Sequence, residues 1–186
     1  MKIRLATPNI QTDSVVDGEG IRAVIWTQGC PHHCPGCHNP ETHSFTSGYV
    51  VDTSYIKEQI KNLDSHTGIT LSGGDPLMQV EACLELAQYA KDLGLDVWCY
   101  TGFTFEELML AMKTKPIIKE FLSCIDVLVD GKFHLEEKTY DAVFRGSKNQ
   151  RIIDTKKSLL KNKIVEIPKY KIINFNRVNN EQHIYI

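Results

Sequence analysis

Cys30-Pro31-His32-His33-Cys34-Pro35-Gly36-Cys37-His38 places three cysteines at the spacing C-x3-C-x2-C, so that three thiolates of one short loop can converge on a single inorganic centre. Thiolates are soft ligands that select iron-sulfur clusters, zinc or copper(I). A 4Fe-4S cube takes four such ligands in the ferredoxin pattern, and no fourth cysteine lies nearby: Cys83, Cys99 and Cys124 fall in segments that read as helix, strand and helix end. If only the loop ligates, one iron stays open to a small molecule. The alternative is a zinc knuckle completed by His32, His33, His38 or His43, since three cysteines and one histidine make a common tetrahedral site.

Outward from the loop, the sequence alternates strand-like and helix-like segments. Ala23 to Thr27 is rich in residues that favour strands, and the cysteine loop leaves its C-terminal end, the edge at which α/β folds bind ligands. Before it stands Asp17-Gly18-Glu19-Gly20-Ile21-Arg22, whose glycines permit a tight turn. After it, Thr53 to Asn62 has apolar positions at helical spacing, and Gly68 to Ser72 forms a second strand ending in Gly73-Gly74-Asp75-Pro76. Two adjacent glycines let a backbone approach a ligand closely, and the carboxylate beside them can accept from an ammonium group. The tetrapeptide is also a frequent turn on its own. A helix starting at Pro76 runs to about Asp92 with Cys83 in its apolar stripe, where free cysteines commonly act as small hydrophobes. Asp96 to Tyr100 is a third strand, Phe105 to Met112 and Lys115 to Ser123 are helices, and Val127 to Val129 is a fourth strand ending in Asp130-Gly131-Lys132. A short Ile152-Ile153 strand, a helix from Thr155 to about Leu160 and a loop over Asn174 to Asn180 complete the reading. Ile3 to Leu5 is a candidate edge strand.

The 186 residues are long enough for one domain with a substantial core and too short for two comfortable ones. A hydrophobic fraction of 42% and a charged fraction of 24% exclude a disordered chain, and no apolar run reaches the roughly 18 residues of a membrane helix. Without a secretory signal, the chain is expected in the cytoplasm, where six cysteines imply reduced thiols and a metal centre. Charge is lopsided: residues 1–142 carry 11 Lys and Arg against 20 Asp and Glu, and residues 143–186 carry 10 against 3. The basic segment is either a solvated surface or a docking face for an acidic partner. Nucleic acid is not expected, because no binding motif or interleaved aromatic residues accompany the lysines.

The cysteine spacing resembles that of the radical S-adenosylmethionine superfamily, and Asp17 to Arg22 resembles a segment upstream of the cysteines in glycyl-radical activases. Gly73-Gly74-Asp75 is similar to the superfamily's Gly-Gly-Glu signature, with Asp75 replacing the commoner Glu. Together with Val97 to Gly102 and Phe144 to Asp154, these motifs resemble the anaerobic ribonucleotide reductase activases, over roughly residues 12–154. The resemblance implies an open partial (β/α) barrel of about five to six mostly parallel strands, in a single domain over residues 1–186. It implies a 4Fe-4S cluster on Cys30, Cys34 and Cys37, with S-adenosylmethionine on its open iron. It implies reductive cleavage of that cofactor to a 5'-deoxyadenosyl radical, which takes a hydrogen from a glycine of an anaerobic ribonucleoside-triphosphate reductase. Flavodoxin or a similar donor would supply the electron. Gly36, Cys37 and His38 would line the cofactor site, and Gly73, Gly74 and Asp75 would hold its methionine end. Asp130 and Lys132 resemble an Asp-x-Lys pair that pyruvate formate-lyase activases use toward the same cofactor, with surface charge as the alternative. Many superfamily members have an aromatic residue where this chain has Gly36, so adenine contact must come partly from elsewhere. A related enzyme, 7-carboxy-7-deazaguanine synthase, shares the spacing and acts on a small molecule; a zinc-stabilised binding module without catalysis is the reading from outside enzymes.

Overall fold

The structure, a computed structural model, describes residues 1–171; the loop expected over Asn174 to Asn180 lies outside the described residues. The strands are β1 (Lys2–Leu5), β2 (Gln11–Ser14), β3 (Arg22–Thr27), β4 (Tyr49–Asp52), β5 (Gly68–Gly73), β6 (Asp96–Tyr100), β7 (Val127–Asp130) and β8 (Arg151–Asp154). The helices are α1 (Thr53–Lys61), α2 (Val80–Asp92), α3 (Phe105–Ala111), α4 (Pro116–Cys124) and α5 (Thr155–Lys161).

All eight strands join one open sheet in the order β4-β1-β3-β5-β6-β7-β8, with β2 added alongside β3. The centre, β3-β5-β6-β7, is parallel, while β1, β2, β4 and β8 pair antiparallel. This is the expected open, partial (β/α) barrel, with more strands and a smaller parallel share than the sequence suggested. The reason is local. β2 is Gln-Thr-Asp-Ser and β4 is largely exposed, so neither carries the apolar run by which a buried strand is recognised. Likewise β1 is not at an edge but lies between β4 and β3.

Side chains of a strand alternate between its two faces. Ala23, Ile25, Ile69, Leu71, Val97, Cys99 and Leu128 point to the face covered by helices and join Ile56, Ile60, Cys83, Leu86, Phe121 and Leu122 in one buried core. The alternate positions Trp98, Val129 and Ile152 face the concave side and form a second cluster with Tyr170. Cys83 and Cys99 are fully buried, and burial pushes both thiols well up from their ordinary range.

At the N-terminal edge of the parallel strands the concave side is closed. Arg22 is fully buried, with Nε donating to Thr70 Oγ1 at 2.7 Å, Nη1 to the Glu19 carbonyl at 3.0 Å and Nη2 to the Ile69 carbonyl at 2.5 Å. Its charge is met by Asp96 at 2.6 Å. Gly18 (φ +131°) allows this burial, since a Cβ there would stand 2.7 Å from the Arg22 side chain and 2.8 Å from Trp98. Trp98, Phe144 and Tyr170 meet edge to face beneath it. Lys169 and Tyr170, in a single 3-10 turn over Pro168–Tyr170, both bond Glu19.

Candidate metal and cofactor site

At the opposite edge the loops diverge. The cysteine loop is sewn back on itself: Cys30 N–H donates to the His43 carbonyl (3.1 Å), Cys37 N–H to the Cys34 carbonyl (3.1 Å), and Asn39 N–H to the Cys37 thiol (3.4 Å). Gly36 adopts φ +73°, a conformation that favours glycine, and a Cβ there would displace the exposed Leu135 side chain, 2.9 Å away. Burial raises the Cys30 and Cys37 thiols, with partial relief from backbone N–H groups of His32 and Asn39.

Cys30, Cys34 and Cys37 line one cavity of about 120 Å³ together with Gly73, Gly74 and Tyr100. Among the described residues no group of three His, Cys, Asp or Glu side chains is gathered closely enough to hold a metal ion. The donor set and its setting nevertheless fit an iron-sulfur group. The wall carries three soft ligands, and two of its buried polar atoms, His43 Nε2 and Tyr100 Oη, have no hydrogen-bond partner among the described residues. Buried polar groups are normally satisfied, so the cavity is built for an occupant that brings polar atoms of its own.

Beside it on the concave side lies a groove of about 410 Å³, and Cys37, Ser72, Tyr100, Phe133 and Gln150 line both. His38 lines this groove and rests on Phe133, ring centroids 5.0 Å apart. Phe133 also approaches the space beside Gly36. The loop after β7 thus supplies an aromatic ring that the cysteine loop lacks. Sequence reading missed Phe133, took Tyr100 only as part of the Val97 to Gly102 motif, and offered His43 only as a zinc ligand. The first two stand just beyond or at the C-terminal ends of β7 and β6, the edge already expected to bind ligand, and that position was the signal available.

Two acidic residues assigned to the cofactor have other partners. Asp75 is fully buried, and its carboxylate accepts from Leu77 N–H (3.0 Å), Thr101 Oγ1 (2.9 Å to one oxygen), Gly102 N–H (3.0 Å) and His32 Nε2 (2.8 Å). Asp130 is 1% exposed and accepts from Phe105 N–H (2.7 Å) and from both Nε and Nη2 of Arg151, which also bonds Glu106. Those carboxylates hold the Arg151 guanidinium firmly in its charged form. Neither carboxylate faces the cavity as a free acceptor in this structure. Lys132 does line the cavity. Several lysines of the basic segment are also engaged: Lys156 with Asp126, Lys157 with Asp154, Lys169 with Glu19 and Lys171 with Glu166.

Residues 16–153 match the 4Fe-4S single cluster domain family. The chain is 38% identical over 146 residues to the anaerobic ribonucleoside-triphosphate reductase-activating protein of Haemophilus influenzae, covering 74% of this chain and 90% of the relative. It is 39% identical over 145 residues to the protein of that name from Escherichia coli strain K12, covering 73% and 90%. The counterpart from Enterobacteria phage T4 is 34% identical over 143 residues, covering 74% and 86%.

Proposed function

The chain belongs to the family of anaerobic ribonucleoside-triphosphate reductase-activating proteins, and from that premise we propose that it generates the glycyl radical of such a reductase, with Cys30, Cys34 and Cys37 holding a 4Fe-4S cluster. When bound, cluster and S-adenosylmethionine supply the electron and the hydrogen-abstracting radical. The protein supplies orientation and exclusion of water. The whole chain acts as one domain, in a reduced cytoplasmic compartment that leaves its six cysteines free, and a flavodoxin-like protein serves as electron donor.

The observation that carries this reading is that the thiol-lined cavity and the concave groove lie side by side, with Cys37, Tyr100 and Phe133 lining both. A cofactor seated at the cysteine loop lies at the head of a groove open to a partner's peptide. Gly73 and Gly74 line the cavity where the methionine end would meet the backbone, and a Cβ at Gly74 would stand 2.4 Å from the Gly29 carbonyl oxygen, so glycine lets this turn pack against the start of the cysteine loop. His38 and Phe133 offer a ring surface for adenine, and Lys132 offers a cation to a carboxylate. Tyr100 Oη offers a donor.

The test combines anaerobically reconstituted protein, S-adenosylmethionine, reduced flavodoxin and the reductase. We expect a glycyl-radical electron paramagnetic resonance signal on the reductase with stoichiometric 5'-deoxyadenosine. Cofactor cleavage coupled to a small-molecule product, with no radical on any protein, would overturn the assignment.

A further inference from the structure

Asp75 stands where the sequence places a cofactor ligand, yet its surroundings are those of a structural junction. A carboxylate offers about four lone-pair sites, and four donors occupy them. They come from three segments: Leu77 from the turn that follows β5, Thr101 and Gly102 from the loop after β6, and His32 from the cysteine loop. Because an ionised carboxylate only accepts, the His32 ring donates from Nε2. That ring is 6% exposed and packs edge to face on Phe103 at 4.6 Å. Space is equally tight: a Cβ on Gly102 would stand 2.3 Å from the ring. The amides of the same turn are also engaged, Gly74 N–H with the Thr27 carbonyl (2.7 Å) and Asp75 N–H with the Gly29 carbonyl (2.9 Å). The acceptors left in this turn for an incoming ammonium group are backbone carbonyls.

We infer that Asp75 is a positioning residue for the cysteine loop: through His32 it fixes the approach of Cys30 to the cavity and joins that loop to the loop after β6, while leaving the binding of the cofactor's ammonium group to backbone oxygens. The inference rests on the reading that the cysteine loop carries the cluster. The shorter aspartate suits this task. A glutamate from the same backbone would carry its carboxylate one methylene further, away from the Leu77 and Gly102 amides that now bracket it. Fixing a ligand loop from behind is the general means by which proteins orient donor groups before the metal arrives.

Three measurements on Asp75→Asn and His32→Phe test this. His32→Phe keeps the ring on Phe103 and removes only the hydrogen bond, so it stands if Asp75→Asn fails to fold. In metal-free protein, both variants should raise hydrogen exchange at the Cys30, Cys37 and Asn39 amides by about tenfold to a hundredfold, the scale of a lost hydrogen bond to a charged group. Combining the two should add little at these amides, because both variants cut the same His32–Asp75 link to the cysteine loop. In loaded protein, the midpoint potential of Asp75→Asn should move to more positive values, because a negative charge near the centre is gone. Affinity for S-adenosylmethionine in fully loaded His32→Phe and Asp75→Asn should fall together or not at all. Loss of affinity in Asp75→Asn alone, with loop exchange unchanged in both, would overturn the inference and restore Asp75 as a direct ligand. Failure of the wild type to load a cluster would instead overturn the proposed function, and the metal-free exchange data would still decide the role of Asp75.

Discussion

Arg22 and Asp75 are both fully buried charged residues, and they sit at opposite ends of the same parallel strands, one at the start of β3 and one just beyond the end of β5. Arg22 lies in a closed plug, its donors taken by Thr70, Ile69, Glu19 and Asp96 and its face within 5.4 Å of the Trp98 ring centroid. Asp75 gathers as many partners, but they belong to three different loops beside a cavity. A buried charge demands compensation wherever it lies. At one end that demand seals the concave side, and at the other it holds diverging loops in register around a site.

The comparison breaks most sharply at the ligands themselves. Cys34→Ala should remove essentially all cluster iron after anaerobic reconstitution, while the denaturation midpoint of the metal-free chain stays nearly unchanged, because Cys34 is only half-buried and lies outside the core. Cys83→Ala and Cys99→Ala should keep their iron. Wild-type iron loading in Cys34→Ala would contradict the ligand set.

Arg22→Met should do the reverse. The change leaves the buried acceptors of Thr70 and Ile69 unpaired while Asp96, 35% exposed, turns to water; an unsatisfied buried acceptor costs about 1–3 kcal/mol, a loss readable by urea denaturation, whereas the cysteine loop lies at the far end of the strands. A change below about 1 kcal/mol would mean that the plug is an ordinary apolar contact on the scale of surface substitutions.

The smallest effect is expected where the plug meets solvent. Hydrogen bonding to Lys169 and Tyr170 holds the Glu19 carboxyl below its usual range. A carboxyl depressed in the folded state adds stability above the unfolded value of about 4.3, and that contribution is lost as pH falls through the folded value. Lys169→Met should therefore lower stability slightly at pH 7, less so at high salt because the pair is exposed, and not at all once Glu19 is protonated. An equal loss at pH 7 and well below pH 4 would show that Lys169 acts through packing alone.

The parallel centre of the fold was legible because β3, β5, β6 and β7 are short apolar runs separated by helical periodicity. The added strands were not, since β2 is polar and β4 is mostly exposed, and their pairing with β3 and β1 is a tertiary choice. The site divided in the same way. C-x3-C-x2-C and Gly73-Gly74 announce themselves by residue type at fixed spacing. The roles of Asp75 and Asp130 do not, because a carboxylate at a strand end serves a ligand or a neighbouring loop equally well until its donors are known. In this structure those donors are Thr101, His32 and Arg151, and each lies more than twenty residues from the carboxylate it bonds. Phe133 was hidden for a related reason: an aromatic residue expected before Cys37 comes instead from the loop after β7.

The central claim is that the cysteine loop holds a cluster with one iron open to S-adenosylmethionine. Electron paramagnetic resonance of the reduced, reconstituted protein, recorded with and without that cofactor, tests it most directly. The account predicts about four irons and four sulfides per chain and a reduced-cluster signal whose shape changes when S-adenosylmethionine is added. Zinc in place of iron, or a cluster signal indifferent to the cofactor, would contradict it.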